Sequence, residues 1–157
     1  MNQLRAFLVV ALVNCFVAQA QTREYRSPRP GWRATTIELR TGESRIEIRR
    51  FNRLIRLRSF ASSDGQHGKA VGHASWTTDG RYFVFNTSNT GGHQPWSWAT
   101  YFYSRRQNRF YFLDGFVGAI TSDFVLTGPN TVRTTRLNFA GNNDTEPVVV
   151  KLNRLKL

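Results

Sequence analysis

Cysteine is almost missing from this chain. Of its 157 residues only Cys15 carries a thiol, and it lies in the apolar N-terminal stretch. Loss of that stretch leaves no disulfide and no cysteine nucleophile, so stability has to come from packing. Lysine is scarce as well: Lys69, Lys151 and Lys156 are the only three. Beyond the N-terminus no apolar run reaches the roughly 20 residues of a membrane-spanning helix, so the remaining chain is expected to be soluble. No serine sits in a nucleophile elbow, and no glycine-rich loop follows a strand and opens a helix. No cofactor and no metal are expected.

The first twenty residues read as an export signal. Arg5 supplies a positive start, Ala6 to Val13 an apolar core extended by Cys15 to Ala18, and Ala18-Gln19-Ala20 the small residues that a signal peptidase requires. Cleavage is expected after Ala20, giving a periplasmic or extracellular protein. The rival reading, lipidation at Cys15, is weakened by Asn14, which stands where a small residue is wanted. The chain then divides into a signal (1–20), a flexible Pro/Arg-rich arm (21–33) holding Pro28, Pro30 and Gly31, and one domain (34–157).

Charge is lopsided: 22 basic against 10 acidic side chains, a formal net charge of +12. Eleven arginines fall between Arg23 and Arg58. Arginine pairs bidentately with phosphate, sulfate and carboxylate, so such a surface suits an anionic polymer, a glycan or an acidic protein. A solvated basic face that only keeps the protein soluble is the alternative. Export argues against a physiological nucleic-acid partner.

Period-2 alternation dominates after the arm. Ile37 and Leu39 face one way and Glu38 and Arg40 the other; Arg45 to Arg49 repeats the pattern, and Arg53 to Phe60 continues it with Ile55 and Leu57 opposite Arg56 and Arg58. Ser44 and Glu47 also have capping-box spacing, with Ile48, Phe51 and Ile55 on a helical face, but the strict alternation favours strands. Ser62 to Gly72 reads as a glycine-rich loop. Asp79-Gly80 between two β-rich runs predicts a type I′ hairpin. Tyr82 to Phe85 is apolar at every position and predicts a strand buried on both faces. Asn86 to Pro95 reads as a long polar loop. Trp98–Ser104 and Phe110–Leu113 form a further hairpin, followed by strands at Asp123–Leu126, Thr131–Phe139 and Val148–Leu155. The fold class is all-β, an antiparallel sandwich or barrel-like domain of about nine short strands with blade-like hairpins.

Trp76-Thr77-Thr78-Asp79-Gly80-Arg81-Tyr82-Phe83-Val84-Phe85, then Tyr101-Phe102-Tyr103 and Phe110-Tyr111-Phe112-Leu113-Asp114-Gly115, resembles one blade of a TolB-type or WD40-like β-propeller, with Thr78 in place of a proline. The resemblance covers residues 76–115, about a quarter of the chain, and implies a propeller blade or a sandwich or barrel that reuses the blade motif. A blade takes roughly 40 residues and closed propellers have four to eight, so a single chain of this length would close a ring only as an oligomer, through pairing of blade-like edges.

Residues able to carry chemistry are few. His67, His73 and His93 lie in or beside loops without a recognised metal-ligand spacing. Asp79 and Asp123 are a conceivable carboxylate pair for glycoside hydrolysis, although Asp79 is explained by its turn. Trp96 and Trp98, two apart, present indoles on one side of an extended segment beside His93. They serve either as a stacking platform or as a cap on the core, and Trp98, which opens a strand, fits the core. The candidate binding residues are therefore Trp96, His93, Arg49, Arg56 and Arg58. Two function classes remain open: an exported non-catalytic binding module, and a small secreted hydrolase using loop His and Asp residues.

Overall fold

The structure, a computed structural model, describes residues 21–39, 41–91, 98–138 and 144–157. The expected signal (1–20) with its cleavage site, and two of the candidate residues, His93 and Trp96, lie outside the described residues.

Among the described residues eleven strands form three sheets, and every pairing is antiparallel. The first sheet is the meander β1 (Thr22–Arg26), β2 (Trp32–Glu38), β3 (Ser44–Arg50) and β4 (Arg53–Ser59). The second is the meander β5 (Lys69–Trp76), β6 (Tyr82–Asn89), β7 (Ala99–Ser104) and β8 (Arg109–Phe112). The third orders β11 (Thr145–Lys151), β10 (Thr131–Leu137) and β9 (Val125–Leu126). One helical turn, α1 (Asp114–Val117), and a 3-10 turn at Leu152–Arg154 complete the described elements. The all-β class holds, and residues 44–59 are two strands rather than a helix, because Ile46 and Ile48 alternate into the core.

The second sheet is the middle layer. Along β6 and β7, Phe83, Phe85, Tyr101 and Tyr103 pack with Ala34, Ile46 and Ile48 of the first sheet. The alternate residues Tyr82, Val84 and Phe102 pack with Val132 and Val150 of the third sheet and with Ile120 and Phe124. Tyr82 to Phe85 is therefore buried on both faces, as its unbroken apolar run requires. Complete burial of such a side chain contributes about 1.5–3 kcal/mol each. These layers stand in for the absent disulfides.

Several local expectations are corrected. Part of the presumed mobile arm is strand β1, paired with β2 from Thr22↔Ile37 to Arg26↔Arg33 and tied to the middle sheet by the Trp76 indole N–H donating to the Tyr25 carbonyl at 3.0 Å. Satisfying its backbone at a sheet edge outweighs the segment's Pro and Arg content. The Asp79-Gly80 turn is not type I′, because only Gly80 has positive φ (64°). Gly80 N–H instead donates to the Thr77 carbonyl, while the Asp79 carboxylate accepts from the Thr77 hydroxyl and the Arg81 amide. The loops expected over Ser62–Gly72 and Asn86–Pro95 are shorter, because Lys69↔Asn89, Ala70↔Ser88 and Val71↔Thr87 pair across them. A bulge at Gly72-His73 makes this possible: the buried Asn86 side chain fills it and accepts from the His73 amide at 2.9 Å. The remaining loop wraps the buried Glu43 carboxylate, which accepts from the amides of Ser62 and Gly68 and from the hydroxyls of Ser62 and Thr41.

Candidate anion-binding surface

Strand register sorts the arginines of the first sheet onto two faces, since directly opposed residues point the same way. Arg26, Arg33 and Arg49 share the outer face, where Arg33 opposes both others, and Arg45 joins them, being adjacent to the inward Ile46. All four meet a carboxylate: Arg26 and Arg33 at Glu24 (3.2 and 3.8 Å), Arg45 and Arg49 at Glu47 (3.4 and 2.8 Å). The face of Ile46 and Ile48 carries Arg50, Arg53, Arg56 and Arg58 instead, through the pairs Ile46↔Arg58, Ile48↔Arg56 and Arg50↔Arg53. Among the described residues none of these four has a carboxylate partner.

Strand β4 thus places arginines inward, and its apolar Leu54 and Leu57 are 43% and 45% exposed. Aromatic ring faces explain the inversion. The Arg58 guanidinium sits 4.7 Å from the Tyr101 ring centroid and 5.3 Å from that of Phe60, and the Lys69 ammonium lies 6.0 Å from Tyr101. Burial pushes the Tyr103 hydroxyl up to about 12, against the opposing influence of Arg105 and Arg56, so both guanidiniums are within electrostatic reach of it. Of the sequence-predicted arginines, Arg56 and Arg58 belong to one band, whereas Arg49 lies on the opposite face, neutralised by Glu47 and bonded to the Asn52 carbonyl.

The band leads toward a cleft of about 540 Å³ where the first sheet, the β7–β8 turn and the C-terminal segment meet. Arg29, Arg81, Arg105 and Arg106 line it beside Trp32, and Leu152 and Leu155 form an apolar wall. Two guanidiniums are anchored by the β5–β6 turn: Arg29 Nε–H donates to the Asp79 carbonyl (3.1 Å) and Arg105 Nη1–H to the Gly80 carbonyl (2.9 Å). Arg105 also lies 4.4 Å over the Trp32 ring, and Arg50 lies 5.8 Å from the same ring. The buried Nε–H of Arg105 has no hydrogen-bond partner among the described residues. Burial, and after it repulsion from Arg29, lowers the pKa of Arg105. Among the described residues only Arg81 meets a carboxylate there, Asp79 at 3.3 Å. Anchored, mutually repelling guanidinium forks with spare donors are suited to a phosphate, sulfate or carboxylate group. Sequence reasoning missed this cleft. Its signal was Arg105-Arg106 at a turn between aromatic strands, which becomes meaningful only once Trp32 and Arg29 fold against it.

The two described histidines, His67 and His73, do not converge. His67 bonds Asp64 within its own loop. His73 Nδ1 lies 3.0 Å from Asp123, its ring stacks on Phe124 at 4.4 Å, and the same Asp123 oxygen accepts from the Asn86 side chain and the Phe124 amide. Among the described residues Asp123 is the only hydrogen-bond partner of the His73 ring. The pair Asp79 and Asp123 does not form a glycosidase dyad. One holds the turn before β6 and the other binds Asn86, four residues further along the strand from Tyr82, roughly 13 Å at 3.3 Å per residue. Catalytic carboxylates stand about 5–9.5 Å apart. Trp98 is 41% exposed and so is not the core residue expected. No protein-family model matches the sequence, and no curated protein matches it.

Proposed function

We propose that this chain is an exported, non-catalytic binding module that holds an anionic partner on the arginine band and in the adjoining cleft. An envelope polymer, a glycan and an acidic protein all have the required charge. The observation that carries this reading is the sorting of charge: the four outer-face arginines named above are neutralised by Glu24 and Glu47, while among the described residues those of the inner face and three of the four in the cleft have no carboxylate partner. Such an arrangement keeps unpaired like charges close together, which costs free energy unless a partner of opposite sign completes it. The export half of the proposal rests on the first twenty residues alone, and export makes nucleic acid an unphysiological partner.

Titration with inorganic pyrophosphate tests the cleft. The double variant Arg29→Gln/Arg106→Gln removes two exposed guanidiniums and should weaken binding at least tenfold at low salt. Unchanged affinity would show that the cleft is not the docking point. A second reading, hydrolysis with His73 as a general base oriented by Asp123, is favoured by their hydrogen bond beside the β5 bulge. Hydrolysis of a model ester or glycoside that disappears in His73→Ala would support it.

A further inference from the structure

We infer that the partner is an acidic polysaccharide, and that one of its sugar rings rests on Phe112 while its carboxylate or sulfate meets Arg58 and Lys69. This rests on the anion-binding reading and names the ligand class. Phe112 closes the edge strand β8 and opposes Tyr101, so its ring lies on the same side of the middle sheet as the arginine band. Its ring centroid lies 5.0 Å from that of Tyr101, tilted by 37°, yet it is 44% exposed. The Arg58 guanidinium approaches the same Tyr101 ring at 4.7 Å and the Lys69 ammonium at 6.0 Å. A flat apolar face and two cations thus surround one ring.

Each class of polyanion would use that arrangement differently. Polyphosphate has no apolar surface and would use the cations alone. An acidic peptide carries its carboxylates on flexible side chains, separate from any apolar group, and ordering each costs rotamer entropy. A uronate or sulfated sugar has its C–H face and its charge on one rigid ring. The C–H groups, slightly positive, lie against the negative face of the phenyl ring, and the charged substituent at the ring edge reaches the guanidinium. The band formed by Arg53, Arg56 and Arg58 then continues along β4 for neighbouring sugars, with Arg56 and Arg58 roughly 6–7 Å apart at 3.3 Å per residue.

The test uses the full exported chain and four probes matched in charge: heparin oligosaccharides, oligogalacturonate, linear polyphosphate and poly-glutamate. Phe112→Ala should weaken both glycans about tenfold and leave polyphosphate within twofold. Phe112→Trp, which enlarges the ring face and keeps an aromatic contact with Tyr101, should tighten the glycans alone and guards against a fold defect in the alanine variant. Arg58→Gln should weaken all four. Glycan affinity unchanged in both Phe112 variants, with polyphosphate still bound, would overturn the sugar assignment and leave the anion reading intact. Poly-glutamate bound more tightly than either glycan, with the same sensitivity to Phe112→Ala, would overturn it in favour of an acidic protein. Failure of all four probes to bind at low salt would remove both readings.

Discussion

Two triple variants with the same change in net charge separate a docking face from a merely basic protein. Arg53→Gln/Arg56→Gln/Arg58→Gln removes the three inner-face arginines of β4, and Arg26→Gln/Arg33→Gln/Arg49→Gln removes three of the four on the outer face. For a densely charged polyanion, each cation that meets a ligand charge adds about 0.7–0.9 to the slope of log K against log salt. Three lost contacts should therefore lower the slope by roughly 2–2.7. Between 50 and 200 mM salt this is about a 20- to 40-fold smaller loss of affinity than the parent suffers. The outer arginines already spend their charge on Glu24 and Glu47 at 2.8–3.8 Å, so their removal should change the slope by less than about 1. The stability cost is mild for the inner set and larger for the outer one. Arg58 gives up a cation–π contact of about 0.5–1 kcal/mol, the Glu24 pairs are worth about 0–1 kcal/mol each, and loss of Arg49 costs more because Glu47 is buried, although Arg45 still pairs with it at 3.4 Å. Equilibrium binding to heparin across a salt series, with thermal melts of each variant, is the assay. Equal slopes for the two triples would mean that net charge alone drives binding and that the facial sorting has no function.

The exported form should begin at Gln21, which N-terminal sequencing of secreted material reads directly; a retained Met1 or a lipidated Cys15 would contradict it. Phe85→Ala, at a fully buried ring in the middle sheet, should destabilise by about 3–5 kcal/mol, whereas Trp98→Ala should cost about 2 kcal/mol because that ring is 41% exposed, both read by chemical denaturation. Hydrogen bonds from Ser62 hold Glu43 below its ordinary value of 4.5, and bonds led by the Gln66 amide hold Asp64 below its ordinary 3.8. The fold thus favours both ionised forms. Their stabilisation is complete above about pH 4.5 and is lost as pH falls through the depressed folded-state values, so proteolysis of the 61–68 loop should rise at strongly acid pH and stay flat from pH 5 to 8.

What was legible in the sequence was local. Alternation at Ile46 and Ile48 and the unbroken run Tyr82–Phe85 identify strands and even their layer, because side-chain period and burial are coupled through the pleat. What escaped were features set by partners distant in the chain. Strand β1 reads as a loose arm until β2 satisfies its backbone and Trp76 reaches Tyr25. Asn86 reads as loop until it is seen filling a bulge in β5. The face of each arginine is only half legible: Arg56 and Arg58 share one face, but nothing in the strand marks Arg49 as lying on the other, because a charged residue gives no sign of which neighbours are acidic across the sheet.

A bulge in β4 keeps Arg53 on the same face as Arg56 and Arg58. Between Ile48↔Arg56 and Arg49↔Leu54, β4 carries an extra residue, Ile55, and the register shifts there. Strict alternation back from Arg58 would put Arg56 and Leu54 inward and turn Arg53 out. The bulge exchanges Leu54 for Arg53. Deleting Ile55 while retaining the Arg50↔Arg53 turn pair leaves 50↔53, 49↔54 and 48↔56 in unbroken sequence, so all three band arginines keep their face. The deletion variant should melt lower, because a half-buried isoleucine is lost, yet its salt slope on heparin should match the parent within about 0.5, a little over half of one contact. Replacing Ile55 by two residues, Ile-Ser, adds a residue to the bulge; any pairing that absorbs it by slipping one position would turn Arg53 outward and lower the slope by about 0.7–0.9. A folded deletion variant that no longer binds would show that the local twist of the bulge, rather than the face on which the arginines stand, is what the partner reads.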